Sequence, residues 1–84
     1  MVEQEVVIAI EPGLQARPAA QFVQMANNYT SDIYIDKDNK RVNAKSIMGL
    51  MSLVLTKGSS IRIVVDGNDQ KEALNDLVKF VEAG

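Results

Sequence analysis

Ser46 follows Asn43, Ala44 and Lys45 and stands directly before Ile47, Met48, Gly49, Leu50 and Met51. A serine at the head of an apolar-periodic segment is suited to be a helix N-cap, its hydroxyl accepting from a free backbone N–H of the first turn. The same hydroxyl is a phosphoryl acceptor. A phosphoryl group there would add about −1.5 to −2 of charge at the positive end of a helix and beside Lys45. On residue types alone both roles stay open. A second junction, Gly13, Leu14, Gln15, Ala16, Arg17, Pro18, Ala19, reads as a strand-to-helix turn with an arginine in the first helical turn. Free N–H groups and a guanidinium fork make it either an anion site or a connection carrying a solvated Arg17. Ile47, Met48 and Met51 are in turn either gap-filling core residues or an adaptable apolar docking patch.

What the chain lacks narrows the chemistry further. It has no histidine and no cysteine. Without imidazole it lacks the usual general base near neutral pH and any phosphohistidine; without thiols it has no disulfide framework and no thiolate nucleophile. No cofactor, no metal site and no catalytic residue are expected, so the chain reads as non-enzymatic. Net charge is −2, yet residues 17–62 carry seven basic side chains against three acidic ones. That basic middle points to a face for anionic partners, but nucleic acid is a poor candidate at a pI of about 4.9 with so few aromatics. The longest apolar run is the five residues Val6–Ile10, far short of the roughly twenty that span a membrane. The first residues are acidic, unlike a signal peptide, and a cytoplasmic location is the default.

Eighty-four residues make one domain, 1–84. Surface scaling predicts about 4,900 Å² exposed when folded, roughly 63% of the unfolded surface being buried. Val2–Ile10 alternates as a first strand and ends at Glu11–Pro12–Gly13. Residues 16–28 form a helix with Pro18 in its first turn and Ala19, Phe22, Val23 and Ala26 as its apolar stripe. Residues 32–36 and 40–43 make a hairpin about Lys37–Asp38–Asn39. A short helix is predicted over 46–55, with Ile47, Leu50, Met51 and Val54 in its pattern. Residues 60–66 are a strand with Ile61, Ile63 and Val65 on one face. A last helix follows, with Asp69 and Glu72 at capping-box spacing and Ala73, Leu74, Leu77, Val78 and Val81 buried. The order βαββαβα implies an α+β fold, a four-stranded antiparallel sheet with helices on one face.

Taken together, Gly13–Ala19 and Lys45–Leu50 resemble the HPr family of the bacterial sugar phosphotransferase system. Its pattern is Gly-Leu-His-Ala-Arg-Pro-Ala followed by Lys-Ser-Ile-Met-Gly-Leu about thirty residues later. The resemblance spans the whole chain and implies the family's open-faced β-sandwich with three helices on one face. It departs at one position: the phosphoryl-carrying histidine maps onto Gln15, whose amide nitrogen has its lone pair delocalised and does not attack phosphate. Pro12, where a small polar residue is more usual, is a second departure. The resemblance therefore implies a regulatory member of the family, acting in carbon catabolite repression. It implies that Ser46 is phosphorylated by an ATP-dependent HPr kinase/phosphorylase, and that the phosphorylated form is a corepressor of catabolite control protein A, a LacI-type transcription factor. Gln15, Arg17, Ala20, Lys45, Ile47, Met48 and Met51 would form the partner-binding face, with Arg17 and Ala20 across from Ser46.

Two other readings compete. The unphosphorylated chain would be a binding module that inhibits a metabolic enzyme, with Gln15 at the interface. An acyl-phosphate hydrolase would use Gly13–Arg17, but the loop lacks a second glycine and a following aromatic, leaving only Asn43 to position water. The hinge Ile10–Gly13 is short enough to permit either a monomer or a strand-swapped homodimer.

Overall fold

The computed structural model describes residues 1–83. The elements are β1 (Val2–Val7), α1 (Ala16–Asn27), β2 (Asp32–Lys37), β3 (Lys40–Asn43), α2 (Ile47–Met51), β4 (Ser60–Asp66) and α3 (Gln70–Glu82). All strand pairs are antiparallel, in the order β1-β4-β2-β3. The helices pack on one side over Val6, Ile33, Ile35, Ile61, Ile63 and Val65, with Phe22 of α1 and Leu77 and Val81 of α3 fully buried among them. The predicted α+β architecture is the observed one, and the exposed area of 4853 Å² matches the size expectation.

The hairpin turns through Asp38 (φ 51°) and Asn39 (φ 67°). Two central residues with positive φ make a type I′ turn, whose twist matches that of the flanking strands. Asparagine and aspartate tolerate this region because their short polar side chains bond locally.

Two local expectations are corrected. The second helix stops at Met51 rather than Leu55. Ser52 Oγ donates to the Gly49 carbonyl at 2.6 Å, competing with the helical ladder. The chain then opens to bury Leu55, whose carbonyl accepts from Leu14 N at 2.9 Å. Val54, expected on the apolar stripe, is left 69% exposed.

Asp69 does not cap α3 with its side chain. Its carboxylate instead accepts from Thr30 N at 2.9 Å, Ser31 N at 3.0 Å, Thr30 Oγ1 at 3.4 Å and the buried Ser31 hydroxyl. These bonds, led by that of Ser31, hold Asp69 at about 2 against its usual 3.8. A carboxylate depressed in the fold stabilises it above pH 4, and that contribution disappears as pH falls from about 4 towards 2. We expect the Tm to drop over that window in circular dichroism melts. Asp69→Asn should lower the Tm at neutral pH and remove much of the drop, because an amide has one acceptor oxygen for four donors. An unchanged acid profile in the variant would refute the clamp.

Candidate functional site

The Ser46 loop is shaped by hydrogen bonds to β3, β2 and α2 and to the chain just beyond α1. β3 ends at Asn43, whose side-chain oxygen accepts from Lys45 N at 2.8 Å while its carbonyl accepts from Ser46 N at 3.1 Å. Ala44 is fully buried and donates to the Ile33 carbonyl at 2.9 Å, which pins the loop to β2. Ser46 is half-buried and extended (φ −113°, ψ 118°), and its Oγ accepts from Gly49 N at 3.1 Å. The predicted N-cap is therefore present. Leu50 is fully buried and anchors α2, which turns Ile47 (38% exposed), Met48 (81%) and Met51 (65%) outward. Of the alternatives open in the sequence, the structure leaves these three side chains at the surface rather than filling the core, and Val54 beyond α2 is likewise exposed.

Lys45, expected beside a phosphoryl group, is held by the end of α1 in the unphosphorylated chain. Its ammonium donates to the Tyr29 carbonyl at 2.7 Å, and Asn27 Nδ2 reaches back to the Lys45 carbonyl at 3.3 Å. Both partners lie at the C-terminal end of α1, so Lys45 straps the Ser46 loop to that end. Tyr29 extends the strap by donating its hydroxyl to Asp76 of α3; that bond, together with burial and the nearby charge of Asp76, pushes the phenol up to about 12.

The Gln15 junction is built around Gly13. Its φ of +114° and its bridge to Thr56 bring the loop against the segment leaving α2. Leu14 is buried, and the next residue, Gln15, is thrown outward as the N-cap of α1 with no side-chain hydrogen bond to the helix. Ala16 takes a positive φ of 51°, and Arg17 and Ala20 are exposed. Arg17 and Ala20 were expected across from Ser46. They lie seven to ten residues before Asn27, roughly 10–15 Å along the helix from the end that holds Lys45. The two junctions meet through the chain that leaves α2: Thr56 and Leu55 touch Gly13 and Leu14, and α1 packs on α2.

Residues 2–83 match the family profile described as the PTS HPr component phosphorylation site. The chain belongs to the HPr family. It is similar to the HPr-like protein Crh of Halalkalibacterium halodurans, 57% identical over 98% of both chains. Among solved structures it resembles the phosphocarrier protein HPr of Bacillus anthracis, with a TM-score of 0.94 and 54% identity over 95% of each chain. It also resembles Crh of Bacillus subtilis, with a TM-score of 0.80 and 52% identity over 99% of this chain and 95% of that one, and that crystal structure is described as a swapping dimer. HPr and Crh proteins are phosphocarriers or regulators, so this HPr-family chain is not an enzyme. No helix among the described residues is long and apolar enough to cross a membrane.

Sequence reasoning missed three features around these sites: the Lys45–Tyr29 strap, the Asp69 clamp, and Val64, which is fully buried although it lies on the sheet face turned away from the helices. Only the last had a signal, since Ile63-Val64-Val65 breaks the period-2 alternation.

Proposed function

We propose that this HPr-family protein is a serine-switched cytoplasmic regulator of carbon catabolite repression that has left the phosphorelay. The observation that carries the reading is Gln15 at the carrier position in a chain without histidine, together with a Ser46 hydroxyl presented at the head of α2. HPr kinase/phosphorylase would transfer the γ-phosphoryl of ATP to Ser46 Oγ. The O–P bond forms as ADP leaves, and the hydroxyl proton passes to a base on the kinase. The phosphoserine then offers two negative charges and three acceptor oxygens to basic side chains of catabolite control protein A, while Ile47, Met48 and Met51 dock against its apolar surface. The likeness to Crh supports the reading.

Intact-mass spectrometry after two incubations tests it. With the kinase and ATP the chain should gain one phosphoryl group; with enzyme I and phosphoenolpyruvate it should gain none. No gain with the kinase would overturn the serine switch and leave the unphosphorylated binding module to be sought. Gln15→His should acquire a phosphoryl group from enzyme I, since the backbone that presents residue 15 is already built; no gain in a folded Gln15→His would show that the loop itself has lost carrier geometry.

A further inference from the structure

The sheet face opposite the helices carries two ordered rows of side chains. Across the strands β1-β4-β2-β3 the first row is Glu5, Arg62, Asp36, Arg41, each directly opposite the next in the register. Its charges alternate, negative, positive, negative, positive. Arg62 holds Glu5 at 2.9 Å and Glu3 at 3.8 Å, and Arg41 holds Asp36 at 2.7 Å and 2.9 Å. The second row is Glu3, Val64, Tyr34, Asn43, with the Arg41 guanidinium 5.4 Å above the Tyr34 ring. Its two central members are the apolar ones. Among the described residues, no helix covers this face.

An alternating row of four has a particular symmetry. Turned about a two-fold axis parallel to the strands, it reverses, and every charge meets its opposite. Glu5 faces the Arg41 of a second copy, and Arg62 faces its Asp36. Under the same operation Glu3 faces the second copy's Asn43, while Val64, fully buried within one copy, makes no contact of its own. The charged row is complementary to itself, the property an isologous interface requires, and the second row brings no like charges together. Asp32 and Asp66, paired one row further along, would meet as like charges. The angle of about 30° between packed sheets carries that row apart and confines the contact to two rows.

We propose that this open face is a self-association surface, joining two copies of the chain face to face in a weak, salt-sensitive dimer. Two rows across four strands cover a few hundred Å² per copy, against about 800 Å² in a stable complex, so the dimer belongs to the transient class. The charges are already paired within each copy, which limits the gain on association further. β1 is not exchanged, and the helical side carrying Ser46 stays free on both copies.

Sedimentation equilibrium of the full chain at up to about 1 mM, the affinity class of small polar interfaces, is the test. Raising NaCl from about 20 mM to about 500 mM shortens the screening length from roughly 20 Å to roughly 4 Å and should raise the Kd at least about tenfold. Arg41→Glu places a carboxylate against the partner's Glu5 and should weaken the dimer by at least about tenfold. Adding Glu5→Arg should restore it to within about threefold, although within one copy the new guanidinium then neighbours Arg62 and the new carboxylate neighbours Asp36. That rescue cannot come from improved folding. At low salt, concentration-dependent amide shifts should fall on Tyr34, Val64 and Arg62 rather than on α2. A monomer at every concentration and salt would overturn the proposal. So would a dimer indifferent to salt and to Arg41→Glu, the behaviour of a strand-exchanged one.

Discussion

Ser46→Asn is expected to abolish phosphoryl transfer from the kinase while leaving the fold as stable as the wild type. Asparagine is as good an N-cap as serine, because its side-chain oxygen accepts the same first-turn N–H, but it has no hydroxyl to attack phosphate. Ser46→Ala loses both functions. It should take up no phosphoryl group and should also lose about 1 kcal/mol, since Gly49 N is left without its 3.1 Å acceptor. For a chain of this length that corresponds to a Tm lower by roughly 5 °C. Intact mass and thermal melts of the two variants together separate the capping role from the acceptor role. A phosphoryl group added to Ser46→Asn would move the modification to another hydroxyl, such as that of the exposed Ser52, and would refute the assignment.

Gly13→Ala is expected to be among the most destabilising single-methyl changes in the protein, alongside Gly67→Ala, whose added Cβ would lie 2.6 Å from Ser31 Cα. Gly13 has φ +114°, a region that alanine rarely adopts, and a Cβ built there would lie 2.3 Å from the Leu55 carbonyl oxygen and 2.8 Å from Thr56 Cα. Both are backbone atoms that pair with this loop, so they cannot move aside without breaking the Leu14–Leu55 hydrogen bond and the bridge to Thr56. Backbone strain and overpacking together cost about 3–5 kcal/mol. That is a large share of the roughly 4–13 kcal/mol available to a chain of this size, and it lowers the Tm by roughly 15–30 °C. Gly58→Ala is the internal control. Gly58 has a similar φ of +91° but nothing within 4 Å of its would-be Cβ, so only the backbone strain of about 1–3 kcal/mol applies. Equal Tm shifts in the two variants would show that the contact with Leu55 and Thr56 is not what constrains the loop. Because the Gly13 loop presents Gln15, a destabilised Gly13→Ala should also fail to support any gain of function from Gln15→His.

The elements were legible because their signals are short-range. The stripe Ala73, Leu74, Leu77, Val78, Val81 is buried as its helical spacing implies, and Ile61, Ile63 and Val65 face the core as alternation requires. Asp38–Asn39 is the turn that those two residue types favour, and Ser46 is the N-cap that its position before Ile47 predicts. The end of α2 was not legible. Residues 52–55 keep a helical pattern, but Leu55 gains more by packing and by pairing with Leu14, more than forty residues earlier, than by continuing the helix. Asp69 was misread for the same reason: local spacing offers it a cap, whereas the fold offers it four donors from Thr30 and Ser31.

By itself the sequence determined the element types, the apolar faces and the chemistry that is absent, because composition and periodicity are properties of the chain before it folds. Without histidine and with Gln15 at the family's carrier position, no arrangement in space supplies a phosphohistidine. The tertiary structure alone decided where the charges went. Lys45 turned to Tyr29, Arg62 to Glu3 and Glu5, and Arg41 to Asp36. Strand order and register set those pairings by bringing together residues as far apart in the chain as Arg62 and Glu3. A long flexible cation takes whichever acceptor the fold places within its reach, and that distance is not written in the neighbouring residues.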